Sequence, residues 1–192
     1  MIWRIANVAA FCAAALVCYG MQVSKPHYAD LTGPIPSYGS MADTVETRLF
    51  DVHVDRIVFA RTLKVNEFGK DKMLTTGGLW AVVATDLAAR DQSTLVGSAT
   101  WLGPTGLRFR QTERLSFAPG LPPHGIDPGL PKKGRFIFEI QPGEAGGATL
   151  LVSNTLYFAL DSQARIALDD ISLAADGTPA TIVPVYDLDQ PI

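Results

Sequence analysis

The sequence predicts an all-β fold arranged as a two-layer sandwich, and three observations carry that expectation. About eight short apolar or alternating segments recur at 8–15-residue spacing. No amphipathic helical pattern interrupts them, and Gly- and Pro-rich stretches separate them. The segment that organises the rest is residues 79–87, Leu-Trp-Ala-Val-Val-Ala-Thr-Asp-Leu, followed by a second extended run over 94–102. It is apolar on both sides of any pleat and is bounded by Gly77-Gly78 and by Arg90-Asp91. Such a run predicts a strand buried on both faces, with Trp80 as its largest anchor.

Composition narrows the function classes. Of 192 residues 47% are hydrophobic, enough for one domain with a real core beyond an N-terminal segment. The formal net charge is −3, and the first 25 residues hold Arg4 and Lys25 but no acid, leaving about −5 on the remainder (−3 less those two positive charges). A mildly acidic domain makes a poor nucleic-acid binder. Cys12 and Cys18 both lie in the N-terminal apolar run, about 240° apart on a helix, and do not bridge each other. The folded part is cysteine-free and holds together by packing.

The uncharged run 5–23 is 19 residues long, near what a helix needs to cross a hydrocarbon core. Arg4 precedes it, and Lys25 and the helix-ending Pro26 follow. A cleaved signal peptide would want a small-x-small site after the apolar stretch, and Val17-Cys18-Tyr19-Gly20 lacks one. Val17 also stands where a lipoprotein signal has a small residue. The expectation is an uncleaved single-pass anchor in a bacterial inner membrane, N-terminus cytoplasmic and the bulk of the chain extracytoplasmic. On a helical wheel Ala6, Ala10, Ala13 and Gly20 share one narrow face, with Ala9 beside it. Small residues there would let a transmembrane helix of a partner approach closely, although alanine is also simply common in such anchors.

Residues 26–44 carry Pro26, Pro34, Pro36, Gly33 and Gly39 without periodicity and read as an extended tether. The sandwich is expected over 45–170. Phe50, Val52 and Val54 alternate with Asp51, His53 and Asp55, the period-2 pattern of a half-buried strand. Residues 66–78 read as a polar, Gly-punctuated loop. Gly103-Pro104-Thr105-Gly106 is a tight turn that makes a hairpin of 99–102 and 107–112. Leu115 and Phe117 suggest a further short strand, and the Pro- and Gly-rich stretch 118–133 reads as a crossing between sheets. Phe136, Phe138 and Ile140 alternate with Ile137, Glu139 and Gln141. Strands are expected over 149–152, 156–160 and 165–168. Residues 171–192 turn acidic and Pro-containing and read as an irregular surface tail.

Phe50-Asp51-Val52-His53-Val54, then Trp80 to Asp86, the Gly103–Gly106 hairpin with Arg108-Phe109, and Asp127-Pro128-Gly129 leading into Gly134 to Ile140 together resemble a family. It is the DUF4352 or telokin-like immunoglobulin-fold domains of bacterial envelope proteins. The resemblance covers about residues 45–169 and implies an immunoglobulin-like sandwich behind the anchor. Ala88-Ala89-Arg90-Asp91 departs from the Asn-Asn or Asn-Gly usual there. The family shares no catalytic residues, so the resemblance assigns none to this chain.

Few residues offer chemistry. His27, His53 and His124 show no metal-ligand spacing. Asp51, His53 and Asp55 share one strand face and could hold a divalent ion, but the exposed polar face of an edge strand explains them without one. Val96-Gly97-Ser98-Ala99 lacks the second glycine of a nucleophile elbow. No catalytic, cofactor-binding or metal residues are assigned, and no small-molecule substrate is inferred. Arg108, Arg110 and Arg114 fall two and four apart and could form a basic stripe for an acidic partner, or a solvated outer sheet face. Trp101 is a second candidate anchor for a partner, or core. The function expected is a membrane-anchored accessory or adaptor subunit of an envelope complex, docking an integral membrane protein through Ala6, Ala10, Ala13 and Gly20. The alternatives are a tethered hydrolase or metal-dependent enzyme using His53 or His124, and a free-standing ligand-binding module retained by its anchor.

Overall fold

A computed structural model describes residues 2–25, 33–115, 118–154 and 161–192, in two compact units that meet in sequence at Gly33-Pro34. The first unit holds one helix, α1 (Ile2–Val23), about 33 Å long at 1.5 Å per residue. Ser24 closes its last turn, its N–H donating to the Gly20 carbonyl (3.0 Å) and its hydroxyl to that of Met21 (3.2 Å). The large apolar side chains described on α1, among them Phe11, Leu16, Tyr19 and Met21, are all exposed. Ala10, Ala13 and Gly20 are exposed as well, and the Ala6 side chain lies outside the described residues. Among the described residues no helix is long and apolar enough to cross a membrane.

The second unit is a β-sandwich. Its first sheet orders β1 (Ile35–Ser40), β11 (Ser162–Ala167), β10 (Thr149–Ser153), β6 (Ser98–Leu102) and β7 (Arg108–Arg110). Its second orders β12 (Val183–Asp187), β3 (Phe50–Glu67), β4 (Lys70–Ala89) and β9 (Lys132–Ile140), with β2 (Thr44–Glu46) beside the start of β3. A small ribbon pairs β5 (Thr94–Val96) with β8 (His124–Ile126). The sheets also touch at one corner, where Gln111 bridges Phe138 and the Thr112 N–H donates to the Ile137 carbonyl (2.8 Å).

The organising run behaves as its composition demands. Residues 79–85 and Leu87 of β4 are all buried, between β3 and β9. The odd positions Leu79, Ala81, Val83 and Leu87 meet Phe50, Val52, Phe136, Phe138 and the first sheet's Trp101, Leu150 and Ile166. Trp101 is therefore core: it packs edge-on to Phe59 (6.1 Å between centroids) and donates its Nε1–H to the Glu144 carbonyl (2.8 Å). The even positions Trp80 and Val82 face the other way, into a second core with Leu63, Val65, Leu74, Leu115, Ile137 and Leu188. The second sheet is thus covered on both faces over this stretch.

Three expectations need correction. Residues 66–78 are strand rather than loop: β3 and β4 continue as one hairpin whose two-residue turn, Phe68-Gly69, has φ of +54° and +81°. That primed geometry matches the twist of the flanking strands. Gly77-Gly78 is a bulge inside β4, where the register jumps between Ala60 and Thr62. A Cβ on Gly78 would sit 2.2 Å from the Ile140 carbonyl, so the close approach of β9 requires glycine there. The tether is the second correction, because residues 35–40 are β1, paired in parallel with β11. The Ile35 N–H donates to Asp161 (2.8 Å), which turns the even positions of β1 outward and puts Pro36, without an N–H, on the open edge.

The tail is the third. Val183 to Asp187 pair in parallel with β3, Leu188 is fully buried, and its N–H donates to the Lys64 carbonyl (2.8 Å). Leu115 lies outside any strand but packs in the second core. Phe117, the 156–160 segment and tether residues 26–32 lie outside the described residues.

Candidate functional site

The outer face of the first sheet gathers what the rest of the surface separates. Residues of β1, β11, β10, β6 and β7 alternate between the two sides of the pleat. Gly39, Ile166, Leu150, Trp101 and Phe109 form one row across the strands, and its large members pack toward the core. The neighbouring rows face out. One runs Tyr38, Arg165, Leu151, Thr100, Arg110; the other runs Ser40, Ala167, Thr149, Leu102, Arg108. Between them lies an open groove of about 480 Å³, with Leu151, Leu102 and Ala167 in its lining and Arg165 and Arg108 toward opposite sides.

Arg165 is held in place before any ligand arrives. Its Nε–H donates to Gln163 Oε1 (3.0 Å), and Gln163 Nε2 donates to the hydroxyl of buried Ser153 (3.2 Å). The guanidinium lies over the Tyr38 ring, 5.7 Å from its centroid, a cation–π geometry. That arrangement spends Nε and leaves the two Nη groups for a ligand. None of the outward strand positions on this face is acidic. Asp43, just beyond β1, is already occupied: the Ser40 N–H and hydroxyl both donate to its Oδ2 (2.9 and 2.8 Å), which holds its carboxyl below the usual range.

Of the three arginines expected to form a stripe, Arg108 and Arg110 lie on this face and Arg114 does not. The structure brings Arg114 to the other sheet, its guanidinium 5.2 Å over the Trp80 ring and bonded to the Thr75 carbonyl (3.0 Å) and Glu139 (3.3 Å). Strand β7 ends at Arg110, and the bend that follows reverses the period-2 rule on which the stripe depended. Tyr38 and Arg165 join the face although the sequence pattern does not single them out. An Arg flanked by Gln163 and Ala167 at alternate positions was the available signal for Arg165; Tyr38 was hidden by the Pro/Gly-rich context.

The histidines do not assemble a site. His53 is not on an edge strand, since β3 is flanked by β4 and β2 there, and its Nδ1 contacts the Asp43 carbonyl (3.0 Å). Asp51 faces Arg90 (3.7 Å), and burial pushes its carboxyl above the usual range. Among the described residues no cluster of three or more His, Cys, Asp or Glu is placed to hold a metal ion.

His124 is only 1% exposed, edge-on to Phe136 (5.3 Å), and its Nε2 has no hydrogen-bond partner among the described residues. Gly134 makes the room, because a Cβ there would meet that nitrogen at 2.8 Å. Burial, then the nearby Lys132, lowers the imidazole pKa from 6.5 to about 4. The folded state therefore binds fewer protons than the unfolded chain between those values. Stability from this group is complete above pH 6.5 and is lost as pH falls toward 4, by up to about 3 kcal/mol. Urea unfolding at pH 7.5 and 4.5 should show a smaller acid loss in His124→Leu than in the parent. Equal losses would mean that His124 is not the buried neutral group.

No family model matches the chain, and no curated protein matches it. Among solved structures the chain is similar to an uncharacterized beta-sandwich protein from Clostridium difficile 630, at 13% identity and a TM-score of 0.43. The match covers 71% of this chain and 96% of that one. The β-sandwich itself rests on the strand pairing described above; the likeness agrees with it and bears on nothing further.

Proposed function

We propose that the chain is a membrane-anchored, extracytoplasmic accessory or adaptor subunit of an envelope membrane-protein complex, acting through protein contacts. The observation that supports this best is α1, whose described apolar side chains stand exposed along one uncharged run. Exposed apolar surface of that extent marks a site buried by lipid or by other protein. No described helix reaches the length and apolarity of a span, so the anchor rests on the sequence run 5–23 together with this exposure. The kinship with DUF4352 or telokin-like immunoglobulin-fold domains belongs to the same proposal. It is supported by the order of the central strand, the hairpin and the phenylalanine-rich strand.

The test uses the helix face. If Ala6, Ala10 and Ala13 mark where backbones approach, larger side chains there force the helices apart. Ala6→Leu, Ala10→Leu and Ala13→Leu combined should abolish co-purification of a membrane partner in mild detergent while membrane insertion persists. Val8→Leu with Cys18→Leu, on the opposite face, should leave association intact. Equal effects from both sets, or none from either, would reduce α1 to a plain tether. The second reading, a ligand-binding module merely retained by its anchor, is favoured by the groove on the first sheet. It would show as ligand binding without any co-purifying membrane protein.

A further inference from the structure

The arginine groove differs from an ordinary solvated sheet face in how its charges are left. Of the other basic side chains of the second unit, Arg48, Lys64, Lys72, Arg90, Arg114 and Lys133 pair with carboxylates, whereas Arg56, Arg61, Lys70 and Lys132 do not among the described residues. What sets the groove apart is that three such arginines share one face without an acid on it. Arg108, Arg110 and Arg165 converge on one face and have no carboxylate partner among the described residues. Arg108 and Arg110, two apart on β7, repel each other, and no acid on their own face offsets that cost. Arg165 is moreover fixed by Gln163 and Tyr38 with its Nη groups unspent. Pre-ordering of this kind lowers the entropy lost on binding, and a planar fork suits a carboxylate.

We infer that this groove seats an extended acidic segment of a protein partner, lying across the strands with a carboxylate at each end and an apolar side chain between. This rests on the adaptor reading and names the chemistry of its contact. The dimensions set the pattern. The two arginines of the groove, Arg165 on β11 and Arg108 on β7, stand on strands three apart, about 14 Å at the spacing of paired strands. An extended peptide covers about 13 Å between residues four apart, and alternate side chains point the same way. A segment of the form acid-x-apolar-x-acid therefore puts both carboxylates on the arginines and its central side chain over Leu151 and Leu102. Leu151 is 4% exposed and offers that side chain little area, so the apolar contact falls mainly on half-buried Leu102.

The probe is a fluorescein-labelled, end-capped peptide, Glu-Thr-Val-Thr-Glu, titrated against the full chain in mild detergent and read by fluorescence anisotropy. Saturable binding is expected, weakened about tenfold or more by Arg165→Gln or Arg108→Gln, as loss of a charge-assisted contact requires. Arg61→Gln, on an exposed position of β3 in the other sheet, should change nothing. Binding of Gln-Thr-Val-Thr-Gln as tightly as the parent peptide would overturn the inference. So would competition by adipate at the affinity of the peptide, which would assign the groove to small dicarboxylates. Competition by phosphatidylglycerol vesicles would assign it to a lipid surface and overturn it equally. Failure of the adaptor reading is seen separately. If neither Arg108→Gln nor Arg165→Gln weakens the peptide, the groove assignment falls, and the adaptor stands as long as a membrane partner still co-purifies through α1. If the peptide binds but no membrane protein accompanies the parent chain, the adaptor falls alone.

Discussion

Replacing Trp80 by alanine should lower the free energy of unfolding by about 3–5 kcal/mol, the range for deleting a large, fully buried aromatic. The indole is 0% exposed and fills the centre of the second core, against Leu63, Leu74, Val82, Leu115 and Ile137. Two polar groups depend on it as well. Its Nε1–H satisfies the Leu74 carbonyl (3.0 Å), and its face carries the Arg114 guanidinium (5.2 Å). Alanine would leave a cavity between β3, β4 and the strand β9 and strip a donor from a buried carbonyl, and the two costs reinforce each other. Urea unfolding of the full chain in mild detergent measures this, and a change below about 1 kcal/mol would mean that the second core is not closed.

The second large effect is expected at Arg135, which is 1% exposed and holds the C-terminal segment from inside. Its guanidinium donates to the carbonyls of Leu188 and Gln190 (2.9 Å for the latter). Burial pulls its pKa below the usual arginine value, yet an arginine so placed keeps its charge. Arg135→Ala removes both donors and opens a void under residues 188–190. The segment then gains by detaching to hydrate its carbonyls, so the loss should appear as release of β12 rather than global unfolding. A docking loss of about 2–3 kcal/mol is expected. Hydrogen exchange should accelerate over residues 183–190 while β4 and β10 stay protected. Unchanged protection at 183–190 would show that β12 is held by its ladder with β3 alone.

The local and the heavily buried elements are legible in the residues themselves. Residues 79–87 are apolar except for Thr85 and Asp86, and a strand covered on both faces satisfies that. The 103–106 turn fixes its own hairpin because glycine and proline there permit little else, and the Phe136-Phe138-Ile140 alternation places one face of β9 in the core. The tertiary structure decided the rest, because those elements take their stability from partners distant in sequence. Residues 35–40 hold a strand by pairing with β11 at an open edge, where Pro36 costs no ladder bond, and their composition resembles a tether for that reason. Residues 183–190 look irregular until Arg135 and the edge of β3 supply their hydrogen bonds. The Phe68-Gly69 arm is polar on one side because only one side is covered. The groove is the extreme case: Tyr38, Arg165, Leu151 and Arg110 come onto one row only through four interstrand registers. No spacing along the chain encodes a register, which is set by which faces can be buried together.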